Sequence, residues 1–211
     1  MLDRGREKLL EKKIRKGEIP TCVALVIPPG AMGPSWWRKV RDLAEWSISL
    51  GIREAALFFE PSSSGSAGDR GEVEEATKEL SDLPAKGSLI FEDGEMSFGR
   101  GGPLELVISI GPGSGGKAEV TEAIRSILED VKSGLIDPEE IDEAAIEARL
   151  RHKLRPDLMI RLGGKELSDF MIWQSAYSEL YFIDRSWDRL EKVDFLRAVG
   201  DYQKRERRFG R

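Results

Sequence analysis

The stretch Pro156-Asp-Leu-Met-Ile-Arg-Leu-Gly-Gly164 contains a short apolar run, Leu158–Leu162, that stops at two glycines. A run of this length between turn-forming residues is typical of a strand buried inside a sheet. Because the run ends at Gly163, its one charged residue, Arg161, is predicted to lie close to the loop that leaves the strand.

Three earlier runs have the same character, and helical patterns separate them. The strands are predicted at Cys22–Ile27, 55–59 and Leu104–Ile110, with a shorter one at 89–91. Apolar residues at helical spacing predict helices within 36–51, 72–83, 120–131 and 192–207. The alternation predicts an α/β fold in which a parallel sheet of about six strands is flanked by helices. In such a sheet, ligands bind in the loops at the carboxyl ends of the strands.

Further features concern the amino terminus and the second half of the chain. Residues 1–19 predict an amphipathic helix ahead of one domain over residues 20–211. The sequence Asp137-Pro-Glu-Glu140 has an N-cap residue, a proline at the first helical position and an acid at the third, so a helix is predicted to begin there. Helical spacing of aromatic residues predicts core and dimer-surface positions for Trp173, Tyr177 and Tyr181.

Composition excludes several classes of function. The 33 Lys and Arg against 38 Asp and Glu, a net charge of -5, argue against a general nucleic-acid binder. The single Cys22 excludes an internal disulfide, and the single His152 lies in a basic run where it is expected to be solvated at a helix end. No apolar run approaches the roughly 20 residues that span a bilayer. A cytoplasmic protein is expected, with peripheral membrane contact left open.

Several motifs resemble those of the cis-prenyltransferases, the family of undecaprenyl and dehydrodolichyl diphosphate synthases. The segment from Pro156 to Gly164 is similar to the family's PDL(L/V)IRTGG, and Ser168-Asp-Phe-Met-Ile-Trp-Gln-Ser-Ala-Tyr-Ser-Glu-Leu-Tyr-Phe182 to its SNFLLWQ and AYAELYF. Gly115-Gly-Lys-Ala-Glu-Val120 resembles GGRxEI, and Arg208-Phe-Gly210 resembles the carboxyl-terminal RxG. The resemblance covers nearly the whole chain and implies the cis-prenyltransferase fold.

The resemblance implies chemistry on diphosphates. The family condenses isopentenyl diphosphate onto an allylic diphosphate with Mg2+. By their places in the motifs, Arg161, Ser168, Arg208 and Gly210 are predicted to contact substrate, either in a residual site or in a neighbouring subunit. Further candidates are Arg70 and Glu179, the latter also as a metal ligand. In the family the RxG segment reaches the neighbour's isopentenyl diphosphate site, so Arg208 is expected to act in trans.

The family's catalytic loop, MDGNGRWA, has no equivalent here. It supplies a metal-binding Asp, glycines around a diphosphate and an Arg, whereas this chain has Ile27-Pro-Pro-Gly-Ala-Met32. Pro28 takes the place of the Asp, and a proline lacks the N–H that such a loop presents to an anion. The next acidic residue is Asp42, inside the predicted helix. The allylic half of the site is therefore predicted to be lost, with no catalytic residue remaining.

These features predict a non-catalytic accessory subunit, inactive alone, that pairs with a catalytic cis-prenyltransferase paralogue. Mg2+ would belong to the partner's site, and the product would be a long polyprenyl diphosphate for glycan-carrier lipids. Two alternatives remain open: an active homodimeric cis-prenyltransferase with a divergent diphosphate loop, and an isoprenoid- or protein-binding module without a synthase role. Arg161 has a structural alternative as well, an ion pair with Asp157 or Asp169.

Overall fold

The computed structural model describes residues 2–61, 70–91, 94–111, 115–164 and 170–205, with residues 2–4 and 6 as backbone only. These residues form seven strands and six α-helices. The helices are α1 (Leu2–Ile14), α2 (Trp37–Leu50), α3 (Arg70–Glu79), α4 (Gly116–Lys132), α5 (Glu143–Arg149) and α6 (Lys192–Tyr202). The strands are β1 (Cys22–Ile27), β2 (Glu54–Phe59), β3 (Ala85–Phe91), β4 (Gly94–Phe98), β5 (Leu104–Ile110), β6 (Leu158–Leu162) and β7 (Glu179–Ile183).

The strands form one sheet in the order β4-β3-β5-β2-β1-β6-β7. Every neighbouring pair is parallel except β3 and β4, which form an antiparallel hairpin. The predicted α/β fold with a mainly parallel sheet is confirmed. The structure adds two strands that were not predicted, β4 and β7.

Burial on both faces explains the continuous apolar run of β1, all of whose residues are buried. On one face, residues such as Leu25 and Leu57 pack in a core that also includes residues of α2 and α6. On the other face, Ala24 and Phe58 pack with Phe170, whose ring stacks on that of Phe58 at 4.2 Å between centroids. The exit of β1 is thereby held near the middle of the sheet.

The only cysteine of the chain opens this central strand. Cys22 is 1% exposed, and burial raises the pKa of its thiol far above the usual range, helped by the carboxylates of Glu54 and Asp157. The Asp157 carboxylate also accepts hydrogen bonds from the backbone N–H groups of Thr21 and Cys22, at 2.8 and 3.1 Å. This carboxylate thus joins the start of β6 to the start of β1.

The amino-terminal helix packs on the last helix of the described chain. Ile14 is 2% exposed, and the side-chain amide of Gln203 donates to the carbonyl oxygens of Ile14 and Glu18 at 2.8 and 2.9 Å. Helix α6 ends at Tyr202 and a turn follows over residues 203–205, so the predicted continuation of this helix to residue 207 is too long by at least three residues. The division into a helix over 1–19 and a domain over 20–211 stays a prediction.

Two predictions of local structure were wrong. Asp137 does form a capping box with Glu140, but the box starts only a 3-10 turn over Pro138–Glu140, and α5 begins after a second cap in which Asp142 accepts from the N–H of Ala145 at 2.9 Å. The aromatic segment predicted at helical spacing consists of turns up to Tyr177 followed by β7. Tyr177 is 64% exposed.

The largest departure concerns His152, which is buried at 3% exposure and not solvated at a helix end. Its Nε2 lies 2.7 Å from the hydroxyl of Ser109, and its Nδ1 lies 3.1 Å from a carboxylate oxygen of Glu119. The same carboxylate accepts from the backbone N–H of His152 at 2.6 Å. The amide of Gln174 donates to the His152 carbonyl at 2.8 Å and reaches Glu119 at 3.4 Å.

This polar cluster, Ser109, Glu119, His152 and Gln174, joins parts of the chain that are far apart in sequence. It links β5, the first turn of α4, the connection to β6 and the turns before β7. Burial alone would raise the pKa of Glu119, but its hydrogen bonds from His152 and Gln174 outweigh that effect and hold the pKa below its ordinary value. A carboxylate with a lowered pKa stabilises the fold above its unfolded-state pKa and loses that contribution as pH falls.

We therefore predict that Glu119→Gln lowers the free energy of unfolding at pH 7 by about 2 kcal/mol, since a buried charge-assisted hydrogen-bond network is broken. The difference from the parent protein should shrink as the pH falls below the ordinary Glu pKa of about 4.3 and through the lowered pKa of the folded-state carboxylate. Urea denaturation at several pH values measures both effects. Glu122→Gln, at an exposed position of the same helix, should change stability little, and an equal loss in that variant would refute the role given to Glu119.

Candidate functional site

The exit of β1 is closed by a proline packed against a glycine. Pro28 is half-buried, and a Cβ atom added to Gly163 would lie 2.9 Å from the Pro28 Cγ. Gly163 also has a φ of 68°, which favours glycine. The ring of Pro28 therefore occupies the space above the glycine that ends β6, at the edge of the sheet where a ligand is expected.

In the loop from Pro28 to Trp36, prolines and internal hydrogen bonds remove five of the nine possible backbone donors. Pro28, Pro29 and Pro34 have no N–H. The N–H groups of Gly33 and Trp36 are already used within the loop, donating to Ala31 at 3.1 Å and to Gly33 at 3.2 Å. The N–H groups of Gly30, Ala31, Met32 and Ser35 have no acceptor among the described residues, so the loss of the diphosphate-wrapping turn stays a prediction.

Carboxylates at this edge are few and separated. Asp42 forms an ion pair with Lys39 at 3.2 Å, and Glu60 pairs with Arg161. Within the described ranges, no three His, Cys, Asp or Glu side chains come close enough together to hold a metal ion. The described residues therefore form no all-protein metal cage, whereas a Mg2+ held by one or two carboxylates together with substrate phosphates needs no such cluster.

Arg161 lies beside the exit of β1, because β6 pairs with β1 in the register Val26 to Arg161. Its guanidinium donates to Glu60 at 2.7 Å, and the two side chains are 14% and 17% exposed. The Arg161 Nε is buried and has no acceptor among the described residues. The ion pair foreseen as the structural alternative exists, but its partner is Glu60, while the Asp157 carboxylate holds backbone N–H groups.

A cavity of about 650 Å³ opens on the other side of the Pro28 loop. Its wall is largely apolar, with prolines 28, 29 and 34 and the indoles of Trp36 and Trp187. The indole N–H groups of both tryptophans are buried and lack an acceptor in the described part of the chain. Polar residues at this cavity are Arg38, Lys39, Asp42, Ser186 and Asp188. The Trp36 side chain thus belongs to a cavity wall as well as to the core.

The remaining described candidates lie apart from this edge. Glu179 is at the amino end of β7, opposite Leu158, where it accepts from Arg205 at 2.9 Å and raises the pKa of that guanidinium. Arg70 is the first residue of α3, is largely exposed, and pairs with Glu74 of its own helix at 3.1 Å. The contacts of the described residues do not bring either of them to Arg161.

Ser168, Arg208 and Gly210 lie outside the described residues, as does Asp169. The substrate contacts predicted for Ser168, Arg208 and Gly210 stay predictions.

Sequence reasoning missed Glu60 and Asp188 as residues of this edge. Glu60 directly follows β2, so its place at the carboxyl end of a central strand was a usable signal. Asp188 belongs to the 3-10 turn Trp187–Arg189, and a hydrogen bond from Ser186 lowers the pKa of its carboxyl. Nothing in the local sequence indicates that this turn lines a cavity beside Pro28.

Sequence comparison gives the family. A sequence model described as "Putative undecaprenyl diphosphate synthase" matches residues 95–210, just over half of the chain. The tritrans,polycis-undecaprenyl-diphosphate synthase (geranylgeranyl-diphosphate specific) of Methanopyrus kandleri is 31% identical, covering 97% of this chain and 90% of the relative. The Methanocaldococcus jannaschii protein of the same name is 32% identical, over 97% of this chain and 88% of its own length.

The alignments also show that this chain is shorter than its relatives. The Methanopyrus alignment extends over 248 positions, whereas 97% of the 211 residues is about 205, so about 40 aligned positions have no residue in this chain.

Solved structures show the same fold. Lavandulyl diphosphate synthase from Lavandula x intermedia, in complex with dimethylallyl diphosphate, has a TM-score of 0.71 at 21% identity, covering 92% of this chain and 99% of that one. A probable undecaprenyl diphosphate synthase from Campylobacter jejuni has a TM-score of 0.66 at 21% identity with the same coverage. With near full-length relatives above 30% identity and a matching family model, the chain belongs to the undecaprenyl diphosphate synthase family, the cis-prenyltransferases.

Proposed function

We propose that this chain takes part in cis-prenyl transfer as a non-catalytic subunit, beside a second cis-prenyltransferase chain that carries the metal-binding carboxylate. The observation that carries the proposal is Pro28, whose ring stands over Gly163 at the exit of the central strand. A diphosphate and its metal need a carboxylate and several N–H donors at that place. The family model begins its match at residue 95, after this loop, which is consistent with an altered first half.

An active homodimeric synthase with a divergent loop is the alternative, and the names of the relatives favour it over the accessory role. Those relatives align over nearly the whole chain and are named as synthases. Arg161 also keeps a buried Nε that has no partner among the residues the structure describes, which leaves a donor for a diphosphate oxygen. The third reading, a binding module without a synthase role, lacks an observation of this kind in its favour.

The first prediction from this proposal separates the accessory subunit from the active homodimer. The purified chain, given isopentenyl and geranylgeranyl diphosphates with Mg2+, should form no polyprenyl product, because lost charge stabilisation of the diphosphate costs several powers of ten in rate. The allylic substrate is chosen from the relatives' names. Product formation is expected when a catalytic paralogue from the same genome is added. Turnover by the chain alone at an ordinary synthase rate would refute the accessory role and favour the homodimer.

A second prediction concerns the carboxyl-terminal motif. If Arg208 contacts a diphosphate in the partner's site, Arg208→Ala should lower the activity of the two-subunit complex at least tenfold and leave assembly unchanged, since a charge-assisted contact contributes about 1.5–3 kcal/mol. Arg211→Ala, one residue beyond the motif, serves as the matched control. Activity should be measured together with the mass of the complex in solution. Full activity of the complex with the Arg208→Ala subunit would refute the proposed role of Arg208 in the partner's site.

The residual diphosphate site gives a third prediction. If the Nε–H of Arg161 donates to a diphosphate oxygen, millimolar isopentenyl diphosphate should raise the thermal unfolding midpoint of the chain, because a ligand that binds only the folded state stabilises it. Arg161→Gln should abolish the shift, and Glu60→Gln should keep or increase it by freeing the guanidinium. Arg53→Gln, an exposed arginine before β2, should retain the parent shift. A shift that survives in Arg161→Gln would place the ligand elsewhere.

A further inference from the structure

The acidic side chains of α1 that the structure describes lie on the face of the helix turned toward the protein. Glu7 and Glu11 are half-buried and face Lys192 of α6, at 4.0 and 2.8 Å. Glu11 also accepts from Arg15 at 2.6 Å. Burial alone would raise the pKa of Glu11, but Lys192 and Arg15 outweigh it and lower the pKa, so this carboxylate stays ionised and paired. The negative charge of these two residues is therefore neutralised against the body of the protein.

The outward face of α1 carries unpaired lysines around an exposed leucine. Lys8, Lys12 and Lys13 are exposed and form no ion pair or side-chain hydrogen bond within the described residues, and the same holds for Lys16 in the turn that follows. Leu9 is 70% exposed. Since residues four apart lie one above the other on a helix, Leu9 stacks with Lys13, and Lys8 stacks with Lys12 beside them.

The charge of this segment is opposite to that of the rest of the chain. Residues 1–16 hold seven Lys and Arg against three Asp and Glu, a net charge of +4. The other 195 residues hold 26 against 35, a net charge of -9. The net charge of the whole chain does not reveal this contrast, because the positive charge of the first region partly cancels the negative charge of the second.

We propose that the outward face of α1, formed by Lys8, Leu9, Lys12, Lys13 and Lys16, docks the protein on an anionic lipid bilayer. Lysines near a negatively charged membrane surface attract it additively, and a leucine among them can enter the interface. A flat bilayer contacts only this face of the protein. The acidic remainder of the chain then lies away from the lipid head groups, where salt screens most of the repulsion between like charges. A nucleic acid would have to follow a longer basic track, and the helix spans only about 20 Å. The proposal is independent of whether the chain is catalytic.

The test is sedimentation of the full chain with vesicles of pure phosphatidylcholine and with vesicles that contain one quarter phosphatidylglycerol. Binding is expected only to the acidic vesicles, and it should weaken as salt is raised. The triple variant Lys8→Gln, Lys12→Gln, Lys13→Gln should lower the partition coefficient about a hundredfold. Leu9→Ser should lower it about tenfold, because the leucine is then no longer transferred from water.

The matched control is Lys78→Gln, Lys86→Gln, Lys132→Gln, three exposed lysines on other elements, which should bind acidic vesicles as the parent does. Circular dichroism of the α1 variants checks that they remain folded. Unchanged binding of the α1 triple variant, or equal binding to neutral vesicles, would overturn the proposal. Binding to duplex DNA as tight as to acidic vesicles would show a general polyanion site and overturn it as well.

Discussion

The site at the centre of the sheet depends on one contact, the packing of the Pro28 ring over Gly163. β1 and β6 are neighbours in register, so whatever follows Ile27 must share the space above the end of β6. A glycine is needed at 163 for its backbone conformation and for this close approach. With a proline on one side and no side chain on the other, the two loops fit together, and a proline ring occupies the position directly above the end of β6.

The fold around the altered carboxyl end of β1 is stabilised by contacts elsewhere in the sheet. Glu119, His152, Ser109 and Gln174 are hydrogen-bonded to one another in the interior, and such a network is costly to break because a buried polar group that loses its partner has no water to replace it. Phe170 packs between His152 and Phe58, which fixes the chain after the loop that leaves β6. The scaffold is therefore held from the face opposite to α2 and does not need an intact diphosphate loop.

The sequence predicted the buried strands and the position of Arg161, because continuous apolar runs and a charged residue before two glycines are local signals. It did not predict the burial of His152, whose partners are 33 and 43 residues away and become neighbours only in the folded sheet. β7 was missed because its Tyr181 continues the helical spacing of Trp173 and Tyr177. The Asp137 capping box was a correct local signal, but Ile141 and Asp142 leave helical geometry and confine it to one turn.

Cys22 has a practical consequence for studying how this chain assembles. A thiol that is inaccessible and has a strongly raised pKa stays unreactive toward maleimides and other thiolate-directed reagents. A cysteine introduced on the surface would therefore be the one reactive thiol, with no need to replace the native residue. Spin labels or fluorophores attached in this way could report distances between subunits without disturbing the central strand.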